Sequence, residues 1–218
     1  MKENIYQSFR PASCLPDCWC EVPKIGQYIL EPGNTWSNLA FIFCGLIVWF
    51  YFKDFPRRKL ATVAFFSVGL GSMAFHGTQT FLGQTIDVLG MYMMVTFLTL
   101  YLWKKDFSTF LWIGINSGLL GVLWFYPEVR RWLFLAMVLG LVIYSIKRSI
   151  KSKYLYGSIL SMILGQIVWN IDRLKIVCDP NSPINGHFFW HIFSALSALL
   201  FVQALRFNDH KTENLKAS

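Results

Sequence analysis

Charge is scarce in this chain. Only 15% of its 218 residues are Asp, Glu, Lys or Arg, where a soluble domain carries about a quarter. The charges that exist gather in short clusters between long uncharged runs, a pattern that excludes an ordinary soluble domain. Strand-like alternation is missing, and so is any long polar insert. The first 20 residues, Met1 to Cys20, hold no apolar h-region, so no cleavable signal peptide is expected. No Asn-x-Ser/Thr sequon occurs. Together with short tails, this is compatible with a bacterial inner membrane or an ER/Golgi-type membrane.

What the chain has in quantity is apolar sequence: 55% of it is hydrophobic and 17% aromatic. The net charge of +8 is not a nucleic-acid signal, because no basic stripe is interleaved with polar, solvated sequence. The Lys and Arg residues instead sit at the ends of apolar runs, where they orient helices against the bilayer. Seven such runs are long enough, or nearly so, to cross a membrane as helices. They are Glu31 to Lys53, Lys59 to Asp87, Asp87 to Lys104, Asp106 to Glu128, Arg131 to Lys147, Lys153 to Asp172 and Asn185 to Arg206. The tail of the second run, Gly77 to Gln84, reads as a turn, so that Asp87 opens the third helix.

The expected fold is therefore an all-α bundle of seven transmembrane helices. An N-terminal extracytoplasmic segment spans 1–34, the membrane domain 35–206 and a cytoplasmic tail 207–218. With the N-terminus outside and the C-terminus inside, 13 basic residues fall on the cytoplasmic side and 7 on the outer side, the bias the positive-inside rule requires. In that topology Cys14, Cys18, Cys20 and Cys178 all lie outside, and only Cys44 lies within a span. Four cysteines in an oxidising compartment suggest disulfides, although pairing is not legible from the residues themselves.

Polar residues at membrane depth are expensive and mark function. His76 ends the second expected helix, while His187 and His191 open the last. The spacing i, i+4 puts His187 and His191 on one helix face, suited to one metal or equally to a hydrogen-bonded helix interface. A third imidazole at the same depth favours the metal, since three neutral imidazoles and an open position make a catalytic zinc site. Ser72 lies one turn before His76 on the same face, a position also open to a serine that bonds back to its own helix. Asp87 suits either a membrane-depth acid or a solvated helix cap. Asp172 reads as an interfacial partner of Arg173 or of a neighbouring group. Asp17, Glu21 and Glu31 crowd hard oxygen ligands into one segment before the first span, which suits Ca²⁺ or simply a solvated acidic loop.

Ser72-x-x-x-His76, then Asp87, then His187-x-x-x-His191, on seven helices, resembles the alkaline ceramidase family. The pattern is similar, more loosely, to a wider group of membrane hydrolases that includes adiponectin-receptor-like proteins. Trp19-Cys20-Glu21 and Glu31-x-x-Asn34-Thr35-x-Ser37-Asn38 look like the ceramidase branch. The resemblance implies Zn²⁺ on His76, His187 and His191, with Ser72 and Asp87 completing a catalytic site. It implies Ca²⁺ beside it on Asp17, Trp19 through its carbonyl, Glu21 and Glu31, and a disulfide between Cys20 and Cys178. The implied activity is hydrolysis of the N-acyl amide of a ceramide-like sphingolipid drawn from the bilayer. The chain departs from the family at Cys18 and Pro23, where the family has Asp and Asn, with Asp17 shifted by one position. Two other readings fit the residues: a seven-helix lipid receptor with a structural zinc, and a related hydrolase acting on another acyl lipid. A transporter fits less well, because no inverted repeat recurs between the halves.

Overall fold

The computed structural model describes residues 4–14, 18–148, 150 and 152–217, the last seven by backbone alone. Among these residues the chain is helical, with one isolated bridge between Pro11 and Thr80 and no strands. The helices are α1 (Pro32–Ser37), α2 (Leu39–Tyr51), α3 (Arg58–Thr78), α4 (Phe81–Trp103), α5 (Thr109–Phe125), α6 (Arg130–Lys147), α7 (Lys153–Arg173) and α8 (Gly186–Ala217), with a 3₁₀ turn at Pro127–Val129. Six spans are long and apolar enough to cross a membrane, α1 and α2 together forming the first. Thr109–Phe125 is apolar but shorter.

Two boundaries differ from the sequence expectation, and both matter for the site. The first run is one span in length but two helices in conformation, broken at Asn38, whose side-chain Nδ2 donates to the Asn34 carbonyl at 2.8 Å. The stretch read as a turn before Asp87 is mostly helix. α3 runs on to Thr78, and α4 starts at Phe81 with Thr80 as its N-cap, the Thr80 hydroxyl accepting the Gly83 N–H at 3.1 Å. Only Gln79 and Thr80 connect the two helices, and Gln79 makes the reversal in the left-handed region (φ 53°). The residues before α1 hold this tight connection: Ala12 N–H donates to the Gln79 carbonyl and Phe81 N–H to the Arg10 carbonyl. Asp87 thus lies in the second turn of α4, facing α3, rather than at a helix start.

α3 packs most extensively on α4, and α7 on α8, with α2 bridging α3 and α8. Small residues and hydroxyls permit these approaches, as in membrane bundles generally. A Cβ built on Gly90 would stand 2.6 Å from the Ser67 carbonyl oxygen, so α3 and α4 can close only on glycine there. Ser158 and Ser197 each donate to the other's backbone carbonyl across α7 and α8, at 2.8 and 2.9 Å. Asn116 of α5 exchanges hydrogen bonds with Thr96 of α4. In contrast, only 11% of the apolar window of α6 is buried, and Phe110, Phe125 and Trp132 are fully presented to the surroundings. Side chains of that kind on a helix perimeter are what hydrocarbon solvates.

Far from the histidines, α8 continues past the apolar region. Arg206 pairs with Asp54 at 2.7 Å, His210 also contacts Asp54, and Lys105 contacts Asp209. The Arg206 bonds hold the Asp54 carboxyl low, at about 2, with His210 adding to the effect.

Gly90→Ala should destabilise the bundle by about 1–3 kcal/mol through overpacking, whereas Gly118→Ala, with open space around its Cβ position, should not. Thermal unfolding of both variants in the same detergent checks the contrast.

Candidate metal centre

His76, the last but two residue of α3, points across to the first turns of α8, where helical spacing stacks His187 and His191 on one face. All three are almost wholly buried. Their ring centroids lie 4.6–5.0 Å apart, and one ligand atom from each falls within 4.8 Å of the others. His76 Nε2 and His187 Nε2 approach to 3.2 Å. Tetrahedral zinc with nitrogen at about 2.0–2.1 Å spaces its ligands by about 3.3 Å, so this separation fits a shared metal.

Two of the three nitrogens turned away from the centre have polar partners. His76 Nδ1 is 2.6 Å from Glu31 Oε2, and His191 Nδ1 is 2.6 Å from Ser37 Oγ. His187 Nδ1 has no hydrogen-bond partner, and the Trp19 indole stacks on that ring at 3.7 Å with an interplanar angle of 17°. Imidazoles whose outer nitrogen meets a carboxylate or hydroxyl are oriented and made more basic as ligands. The donor set, three neutral-capable imidazoles without sulfur, suits zinc or another divalent ion that accepts nitrogen.

Ser72 and Asp87 complete one side. The Ser72 hydroxyl lies 3.5 Å from His191 Nε2, and Asp87 lies across from Ser72 at the α3–α4 contact. The close approach of α3 and α4 carries this geometry: a Cβ on Gly71, next to Ser72, would sit 3.2 Å from the Asp87 Cα.

The acidic segment is arranged differently from a cation cage. Both Glu21 oxygens accept backbone N–H groups of α1, from Gly33 at 2.9 Å and Asn34 at 2.8 Å. Glu31 Oε2 is shared between His76 and the Asn34 amide at 3.1 Å. Burial raises the Glu21 carboxyl above its ordinary value despite those N–H groups, and pushes Glu31 up to about 8 despite its bond to Asn34. Trp19 contributes its ring to His187, Cys18 is tied to Cys14, and Asp17 lies outside the described residues. Among the described residues, His76, His187 and His191 form the one group of three or more His, Cys, Asp or Glu side chains close enough to share an ion. The Glu21 and Glu31 carboxylates fasten α1 and orient His76.

Three further residues emerge that sequence reasoning missed or placed elsewhere. Asp172 is fully buried rather than paired with Arg173 at the interface; its Oδ2 accepts the Cys20 N–H at 3.0 Å, and its carboxylate faces the first N–H groups of α8. An anion at that position suits the helix N-terminus. Ser37 and Asn34, noted only as motif letters, supply the hydrogen bonds around His191 and Glu31. Cys14 pairs with Cys18 and Cys20 with Cys178. The second bridge joins the segment before α1 to the loop before α8, where Val22 N–H also donates to the Pro180 carbonyl. Gly33 lets α1 press on that loop, since a Cβ there would lie 1.9 Å from the Pro183 carbonyl oxygen.

The sequence model of the ceramidase family matches residues 17–218. An alkaline ceramidase of Drosophila melanogaster is 28% identical over 223 residues, covering 88% of this chain and 76% of its own length. Alkaline ceramidase 3 of Mus musculus is 28% identical over 221 residues, covering 84% of this chain and 80% of its own length. A lipoprotein signal peptidase of Listeria innocua is 30% identical over 108 residues, a likeness covering 44% of this chain and 70% of that protein.

Cys178→Ser should lower stability by about 2–4 kcal/mol, because the lost bridge closes a long loop. Thermal unfolding with and without reductant tests this: reductant should bring the parent protein down towards the variant and leave the variant nearly unchanged.

Proposed function

Since the chain belongs to the ceramidase family, we propose that it is a zinc-dependent intramembrane amidohydrolase, cleaving the N-acyl amide of a ceramide-like sphingolipid into a fatty acid and a sphingoid base. The observation that carries this reading is the convergence of His76, His187 and His191 beside the Ser72–Asp87 pair. A structural zinc in a receptor needs no such neighbours, whereas a hydrolytic site needs both a proton carrier and an oxyanion donor.

His76, His187 and His191 would hold the metal, and zinc there would supply Lewis-acid activation of water near neutral pH. Asp87 is placed to act as general base: its carboxylate takes a proton as water adds to the amide carbonyl carbon. The same carboxyl then delivers that proton to the amide nitrogen as the C–N bond breaks, so the amine leaves neutral and the acyl group leaves as the acid. Ser72 donates its hydroxyl hydrogen to the oxygen on which negative charge develops. Trp19 and Phe75 flank the imidazoles at ring distances of 3.7 and 4.8 Å and exclude bulk water from them.

The charge bias of the loops supports an orientation with this end of the bundle on the outer or lumenal face and α8 ending inside. Substrate then enters laterally from the bilayer with its amide at the depth of the imidazoles.

Purified protein incubated with a panel of N-acyl lipids and O-acyl lipids should release fatty acid from ceramides. A chelator should abolish release and added zinc should restore it. In the same assay Asp87→Asn should lose about 10²–10⁴-fold in kcat while keeping its zinc. Lipid binding without fatty-acid release would support the receptor reading instead, and release from esters alone would move the substrate class.

A further inference from the structure

The break between α1 and α2 has a chemical consequence at the metal centre. At that break the Asn38 N–H turns to the Thr35 and Trp36 carbonyls, leaving the Asn34 carbonyl without its helical partner. That carbonyl accepts two other donors, the Asn38 amide at 2.8 Å and the Ser37 hydroxyl at 3.0 Å. A serine hydroxyl has one hydrogen to give. A carbonyl can only accept, so the Ser37 hydrogen is directed to Asn34. The short contact of 2.6 Å between Ser37 Oγ and His191 Nδ1 must then be filled by a proton on Nδ1.

We infer that Ser37 is a positioning residue: by accepting from Nδ1–H it selects the His191 tautomer whose Nε2 carries a bare lone pair directed into the centre. With the opposite tautomer, Nε2 would present a hydrogen to the metal and bind nothing. Asn34 extends the same control to a second ligand, because its Nδ2 donates to the Glu31 oxygen that faces His76 Nδ1. A helix of only six residues thus sets the outer hydrogen bonds of two of the three imidazoles. Glu21 fixes that helix by taking the Gly33 and Asn34 N–H groups. Both Ser37 and Asn34 are buried, so water does not substitute freely for either.

The inference deepens the zinc reading and rests on it, so the test separates the two. Zinc affinity is measured by competition with a chromophoric chelator for the parent protein, Ser37→Ala, Ser37→Thr and His191→Ala, each with its thermal unfolding curve. Ser37→Ala should bind zinc about 10–100-fold more weakly, and Ser37→Thr, which keeps the hydroxyl, should recover most of that loss. An unchanged affinity in Ser37→Ala, with zinc lost from His191→Ala, overturns the role of Ser37 alone. Zinc retained in His191→Ala overturns the metal site itself. Should Ser37→Ala fail to fold, ¹⁵N-histidine spectra of the zinc-loaded parent decide the point. A metal-bound Nε2 with a hydrogen-bonded Nδ1–H at His191 supports the assignment, and coordination through Nδ1 overturns it.

Discussion

A polar group buried at membrane depth must be partnered, and one end of this bundle buries more of them than any other part of the described structure. Glu21, Glu31, Asn34, Asn38, Ser37, Ser72, His76, Asp172, His187 and His191 are all shielded from solvent there. Each unpaired buried group costs about 1–3 kcal/mol. The folding problem of that end is therefore one of satisfaction, and the solution is a directional network. Glu21 takes the free N–H groups of α1, Asp172 takes the Cys20 N–H and faces the start of α8, and Glu31 and Ser37 take the outer nitrogens of two histidines. Asn34 Oδ1, Asn38 Oδ1, Asp172 Oδ1 and His187 Nδ1 are left without a hydrogen bond, and the imidazole nitrogens turned inwards meet one another and the Ser72 hydroxyl, an arrangement that a metal ion stabilises.

The apolar remainder of the bundle serves this network by holding helix ends in register. The α3–α4 pair closes on Gly71 and Gly90 and so brings Asp87 to Ser72. The α7–α8 pair, laced by Ser158 and Ser197, brings Asp172 under the first turn of α8. The Cys20–Cys178 bridge fastens the segment before α1 to the loop before α8, so that Trp19 lands on His187. α5 and α6 contribute bulk rather than chemistry, which agrees with their exposed apolar perimeter.

Much of this was legible in the sequence, and the reason is specific. His76, His187 and His191 stood out because imidazoles at helix ends in apolar runs are rare, and their ligand set needs only helical spacing and similar depth. Asp87 was expected to open a helix and lies instead in the second turn of α4. Gly83 and Gln84 had suggested a turn where Thr80 in fact caps a new helix. The hydrogen-bonding roles of Ser37, Asn34 and Glu21 were not legible, because a hydroxyl or a carboxylate carries no spacing rule until the backbone break at Asn38 frees a carbonyl for it. The calcium expectation came from residue types and from the family resemblance. The same carboxylates that would suit a hard cation also suit helix N–H groups and an imidazole, and Glu21 and Glu31 meet those here. Asp172 was misplaced because its partner, the Cys20 N–H, is 152 residues away.

The most direct test of the account is the coordination sphere itself, read by zinc X-ray absorption on the purified protein in detergent. Nitrogen or oxygen scatterers at about 2.0–2.1 Å, with outer-shell features of three imidazoles, are the predicted result. A sulfur shell at about 2.3 Å, a single imidazole, or protein that takes up no zinc would contradict it.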